Sequence, residues 1–295
     1  NTDSIARQME EKSILKSSKS FKKLARLKGL DIPRPGRYVL SKKMSLNRLV
    51  NLFKGGLQTP VKMVITPVRT PEDLAGKISH YLELDSISII NGLKSDEIAK
   101  SFGFDKASFY TMFLPDTYEI YWTTGLSSLF KRMHNEYEIF WNKKRLNEAQ
   151  NLGLNQQEIT VLASIVYSEQ LKHPDEWPII AGLYLNRLKR GIALQSDPTL
   201  IYAKGDFSIN RVLDVDKKID SPYNTYKYAG LPPGPIYSPD KACINAVLNA
   251  ESNNFIYMCA KPDNSGYHAF SSNLSQHNRN ASKYRRWISK QGIYR

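Results

Sequence analysis

The sequence predicts a mixed α+β protein, and three observations carry that prediction. Apolar and polar residues alternate over Val61 to Val68, the period-2 pattern of a half-buried strand. Elsewhere apolar residues recur at three- and four-residue spacing behind helix starts at Ser45, at Thr70-Pro71 and at Asn155 with Glu158. Between such segments Pro and Gly punctuate the chain, most densely over Gly230-Leu231-Pro232-Pro233-Gly234-Pro235. No solenoid-period repeat is visible, so the elements must pack into ordinary layered domains.

Residues 1–15 are polar and charged, and read as a loose lead-in or the frayed start of a helix. Phe21, Leu24, Ala25 and Leu27 stand near helical spacing before Pro33, Pro35 and Gly36 break the chain. Tyr38-Val39-Leu40 reads as a strand, and Ser45 caps a helix carrying Leu46, Leu49, Val50 and Phe53 that Gly55-Gly56 ends. The Val61–Val68 strand and a helix with Leu74, Ile78 and Leu82 on its apolar face repeat the rhythm, making two small α+β units. From about residue 105 the texture changes. Phe113-Leu114-Pro115-Asp116-Thr117-Tyr118 reads as a turn-rich segment, and Ser127 to Gln150 as one long helix. Asn155 and Glu158 form a capping pair for a helix from Gln156 to about Leu171, and Pro174 opens another that runs to Gly191. Turns, Pro-rich loops and short strands follow, then a basic helical tail from Leu274 to the end.

A chain of 295 residues fits two domains at roughly 150 residues each, and the change of texture divides it into 1–104 and 105–295. No stretch approaches the roughly 20 apolar residues of a membrane span. The chain begins at Asn1 rather than Met, as a processed or trimmed product does, and the absence of a signal or anchor segment here says nothing about the parent protein. The net charge of +14 asks for an anionic partner: nucleic acid, a membrane surface or an acidic polymer. The basic residues cluster early, from Lys12 through Lys16, Lys19, Lys22, Lys23, Arg26 and Lys28, with Lys42 and Lys43 beyond. Nucleic acid is the poorest fit, because no zinc-finger spacing or glycine-rich phosphate loop appears and the aromatics sit in Pro-rich turns. Cys243 and Cys259 show no metal-ligand spacing, and a bridge between them is open in an oxidising compartment. No metal or cofactor is implied.

The helix from Gln156 holds the first candidate for chemistry. Glu169 falls seven residues after Leu162 and four after Ile165, so at about 100° per residue it shares their apolar stripe. Burial disfavours the charged carboxylate and raises its pKa toward the range of a general acid. A Glu near a helix end that turns out to solvent fits the same pattern. Leu194-Gln195-Ser196-Asp197-Pro198-Thr199 then packs an amide, hydroxyls and a carboxylate into one constrained loop, a set suited to sugar hydroxyls. Tyr223-Asn224-Thr225-Tyr226 and the Pro-rich run to Ile236 offer aromatic faces beside an amide, as a glycan cleft does. His268, Phe270 and His277 add imidazoles and an aromatic ring near a strand end. Each block taken alone is also an ordinary structural turn.

In this order the blocks resemble one family. Ala163-Ser164-Ile165-Val166 with Glu169, Asn186-Arg187-Leu188, the Leu194–Thr199 and Tyr223–Tyr226 runs, Gly230–Ile236, Leu114–Tyr118, and His268, Phe270 and His277 are similar to the YceG-like endolytic murein transglycosylases (MltG). The likeness spans roughly residues 105–290, and the two small units before it look, on weaker motifs, like that family's LysM-like region. The family often shows Glu-x-Glu near this helix end; here Tyr167 takes the first place and Glu169 alone remains.

The resemblance implies non-hydrolytic cleavage of the MurNAc–GlcNAc β-1,4 bond to a 1,6-anhydro-MurNAc end. Glu169 would act as acid and then base, and Gln195, Ser196, Asp197, Tyr223, Asn224, Thr225, Tyr226, His268 and Phe270 would bind substrate. It also implies glycan strands and peptidoglycan synthases as partners, and a place on the extracytoplasmic, periplasmic face of the inner membrane. A hydrolytic muramidase using Glu169 and Asp197, and a glycan-binding scaffold without catalysis, are the other readings.

Overall fold

The computed structural model describes residues 1–41, 43–209 and 211–291, so Lys42 of the basic cluster and the last four residues of the tail lie outside the described residues. The chain forms two compact units, one of Asn1–Val64, Ala75–Ile89 and Thr117–Leu129, the other of Ile65–Leu74, Ile90–Asp116 and Phe130–Arg295. The architecture is mixed α+β, with thirteen α-helices and two two-stranded sheets among the described residues.

In the first unit the lead-in is helix after all. α1 (Thr2–Glu11) is capped by the Asn1 side chain, and Ala6 and Met9 give it an apolar face to bury. α2 (Ser18–Leu27) and α3 (Leu46–Gly55) supply Phe21, Ala25, Leu49, Val50 and Phe53 to the same cluster. Ser45 caps α3 and Gly56 ends it in the left-handed conformation that suits glycine. Tyr38-Val39-Leu40 is not a strand. Its contacts with Thr59 are one bond to a side chain (Val39 N–H to Thr59 Oγ1) and one from the Thr59 N–H to Arg37, so no ladder forms. Its Tyr38 ring packs edge-on against Phe53 at 5.0 Å instead. β1 (Val61–Ile65) is shorter than the alternation suggests, and it pairs with a strand the sequence hid.

α4 (Pro71–Ser79), α5 (Ser86–Leu93) and α6 (Asp96–Ser101) come before that partner, β2 (Asp116–Ile120), where turn residues masked the Thr117-Tyr118 pairing segment. The single long helix foreseen over 127–150 is two helices, α7 (Leu126–Phe140) and α8 (Lys143–Asn151). Asn142 breaks it: its backbone is extended and its side chain accepts from the Arg145 N–H at 3.1 Å, which starts α8 anew.

The core of the second unit is α9 (Gln156–Glu169), whose Ile159 to Val166 are all buried. Around it pack α8, α10 (Trp177–Lys189, entered through a 3-10 turn at Pro174–Glu176), α11 (Asp197–Lys204) and α12 (Lys241–Leu248). A hairpin of β3 (Tyr257–Ala260) and β4 (His268–Ser271) pairs Ala260 with His268, and α13 (Leu274–Lys290) lies against it. At Gly182 α10 lies close against the chain: a Cβ there would stand 2.3 Å from the Glu251 carbonyl oxygen. Cys243 and Cys259 are free thiols. No helix among the described residues is long and apolar enough to cross a membrane.

Candidate active site

α9 delivers Glu169 as its last residue. The Asn155–Glu158 capping box fixes the start of the helix, and Leu162, Ile165 and Val166 anchor the stripe Glu169 extends. The helix stops two residues earlier than its pattern suggests because Gln170 turns away into an extended conformation and is buried. The Gln170 side chain accepts the Lys172 and His173 N–H groups and donates to Glu176 and to the Gly266 carbonyl, while its own carbonyl accepts the Trp177 indole N–H. This knot holds the carboxylate at the end of a rigid element.

Two hydroxyls converge on one oxygen of that carboxylate. Tyr184, from α10, donates to Glu169 Oε1 at 2.7 Å and Ser196 donates to the same atom at 2.5 Å. Burial pushes the Glu169 pKa up, opposed by these two hydrogen bonds; the nearby Asp197 charge also raises it and His268 lowers it. With Oε1 occupied by donors, Oε2 is the oxygen left to carry a proton. The Tyr184 phenol is itself held far above its ordinary pKa by burial and by Glu169, so it stays a donor.

Arg187 builds the loop that brings Ser196 in. Buried on α10, it donates to the carbonyls of Ala193, Leu194 and Ile256 and to Gln195 Oε1, tying the 193–195 loop to the lead into β3. Gln195 takes a φ of +54°, a left-handed conformation costly for a non-glycine residue. Thr225 fastens the other side, its carbonyl and hydroxyl accepting the Gln195 and Ser196 N–H groups. The segment the sequence presents as a constrained loop is thus the entry to a helix, with Ser196 at the N-cap position of α11 and Asp197 in its first turn. Asp197 accepts from the Tyr226 hydroxyl at 2.5 Å. That bond, after burial, drives the Tyr226 phenol pKa far upward.

These groups border a cleft of about 510 Å³. Of the residues singled out from sequence, Glu169, Arg187, Leu194, Gln195, Asp197, Tyr226, His268 and His277 line it, and Ser196 reaches it through Glu169. The rest stand behind. Asn224 is fully buried, its amide donating to Lys217 and Ile219 carbonyls and its oxygen accepting two N–H groups, which uses all its bonding capacity on the loop. Thr225 is buried against Thr199, Tyr223 packs on Tyr202, and Phe270 stacks on Phe255. The Pro-rich run backs α9 rather than walling the cleft, with the Ile236 N–H donating to Ser164 Oγ and a buried Tyr110 hydroxyl reaching Pro235.

Three contributors were given no role by the sequence reading, although Arg187 stands within its Asn186-Arg187-Leu188 motif. Tyr184 and Arg187 face the cleft from a helix that is apolar along its length from Trp177 to Leu185, where Tyr184 looks like any core aromatic. Glu176 is buried and accepts both the backbone N–H and Nδ1 of His268 at 2.8 Å, fixing that ring at the cleft. His277, which the motif order did mark, stacks on Tyr257 at 5.1 Å, and burial lowers its pKa, keeping the imidazole neutral.

Comparison with known proteins places this arrangement. The sequence profile of the YceG-like family matches residues 1–283. Among curated relatives, the endolytic murein transglycosylase of Bacillus subtilis is 28% identical over 96% of this chain and 82% of its own length. The Streptococcus pneumoniae (strain R6) protein of the same name is also 28% identical over 96% of this chain, but the chain spans only about half of it, 56%. Among solved structures, a YceG-like protein from Listeria monocytogenes superposes with a TM-score of 0.65 at 25% identity, covering 95% of each chain.

Proposed function

The chain belongs to the YceG-like family, and from that premise we propose that it is an endolytic peptidoglycan lytic transglycosylase, cleaving the MurNAc–GlcNAc β-1,4 bond without water. The observation that carries this reading is Glu169: a carboxyl at the cleft, its pKa raised by burial, with two hydroxyls on Oε1 and Oε2 left for the proton. Protonated, Glu169 gives its proton to the bridging oxygen as the C1–O bond breaks. The Tyr184 and Ser196 hydroxyls then stabilise the carboxylate that forms. That carboxylate takes the proton from the MurNAc 6-hydroxyl as its oxygen closes on C1. The product is a 1,6-anhydro-MurNAc end, and Glu169 is again protonated.

Because the sugar supplies the nucleophile, one carboxylate suffices. A hydrolase needs a second, and Asp197, in the same cleft, is what supports the muramidase reading. Its bond from Tyr226 favours a positioning role with Gln195. A scaffold without chemistry has no use for a half-buried carboxyl of raised pKa at a cleft. Residues 1–104 are, in this proposal, a LysM-like glycan-binding region and 105–295 the catalytic domain. The protein works outside the cytoplasm at the inner-membrane surface, beside peptidoglycan synthases. Digestion of purified sacculi by the Glu169→Gln variant tests the site: no glycan cleavage is expected, and wild-type turnover would remove Glu169 from the mechanism.

A further inference from the structure

The catalytic cleft does not end at the hairpin. Leu274 and Asn278, at the start of α13, border it and also border a second, shallow depression that runs along α13 itself. Arg279, Lys283 and Arg286 line that depression. At spacings of four and three residues they fall within about 60° of one another on one helix face. All three are exposed. Arg279 donates to the Ser275 hydroxyl and Arg286 to the Ser282 carbonyl, and none of the three forms an ion pair with a carboxylate among the described residues. Nor does α13 carry any Asp or Glu of its own to neutralise them. A row of unneutralised cations on a 17-residue helix raises the local anion concentration.

We propose that this face of α13 is a subsite for the carboxylate-bearing peptide stems of the glycan strand seated at Glu169. The inference rests on the transglycosylase reading above and adds a contact to the part of the substrate that does not react. From Asn278 to Arg286 the helix rises about 12 Å, which is the length of roughly four residues of extended peptide. The continuity through Leu274 and Asn278 means that an anion held here is joined to the chain in the cleft. An anionic membrane is the competing source of negative charge, but Leu274 is the one large apolar side chain exposed on α13 among the described residues, so the face has little to insert into lipid.

The test separates binding from chemistry. The full chain carrying Glu169→Gln is titrated with fluorescent glycan strands bearing their stems, and with the same strands stripped of peptide by an amidase. Adding R279Q, K283Q and R286Q is expected to weaken binding of stem-bearing strands about 10-fold, the sum of three exposed ion pairs. Stripped strands should bind both proteins alike, and the difference should shrink at high salt. A single Lys283→Glu should weaken stem-bearing strands more than Lys283→Gln. Equal loss on both strands, no loss on either, or loss confined to sedimentation with anionic phospholipid vesicles would each overturn the subsite. Absence of anhydro ends with the wild-type enzyme would instead defeat the transglycosylase reading, and the titration would still report on α13.

Discussion

Ser196→Ala takes one hydroxyl from Glu169 and disturbs little else. Ser196 is fully buried, its side chain makes no cap bond to α11, and its backbone N–H is held by Thr225, so the backbone has no reason to move. A hydrogen bond to a charged group contributes about 1.5–3 kcal/mol and one to a neutral group about 0.5–1.5 kcal/mol. The bond at 2.5 Å therefore favours the carboxylate over the acid by a difference of about 1–1.5 kcal/mol. Carboxylate character develops as Glu169 releases its proton, so the variant should lose roughly 5- to 13-fold in kcat. The acid form becomes easier to keep, and the alkaline limb of the pH–rate profile should move to higher pH. Tyr184→Phe, which removes the other donor at 2.7 Å, should act in the same direction. Turnover of defined glycan strands across pH, followed by chromatography of the products, measures both quantities. An unchanged kcat with an unmoved limb in both variants, or a limb moving to lower pH, would refute the role given to the paired hydroxyls.

Stability follows the same group. Burial raises the Glu169 pKa above its ordinary 4.5, so the folded state holds the proton more tightly than the unfolded chain. Relative to Glu169→Gln, the wild type should therefore lose stability as pH rises from about 4.5, levelling off above the folded-state pKa; denaturant midpoints for the two proteins that run parallel from pH 4 to 8 would contradict this. Gly182→Ala should cost about 1–3 kcal/mol or more, since its Cβ meets the Glu251 carbonyl oxygen and the Asn253 amide at 2.3 and 2.6 Å. Unfolding in urea reads that loss, and an unchanged midpoint would mean α10 does not lie against that segment as closely as described.

The sequence carried Glu169 legibly because a helical period says which face a residue shares, and Leu162 and Ile165 do sit buried beneath it. The capping box at Asn155 was legible for the same reason, being local chemistry at fixed spacing. What it could not carry was convergence. Tyr184 and Ser196 reach one oxygen of Glu169 from 15 and 27 residues away, and Glu176 meets His268 across 92. No spacing rule links such pairs; the packing of α9, α10 and the hairpin does. Local conflicts account for the other departures. A polar run over 127–150 looks uniformly helical until Asn142 offers its side chain to the next turn. Gln195-Ser196-Asp197-Pro198 reads as a turn because the residues that cap a helix are also those that make turns. Asn224 was a natural choice for a sugar contact, yet an amide can equally spend all four hydrogen bonds on its own loop, and it does.

The central claim is that Glu169 works alone, with the substrate's own hydroxyl in place of water. Digesting sacculi in heavy-oxygen water and weighing the new glycan ends by mass spectrometry tests it most directly. The account predicts anhydro ends, lighter by one water than reducing ends and free of the heavy isotope. Reducing ends carrying that isotope would contradict it and transfer the second catalytic role to Asp197.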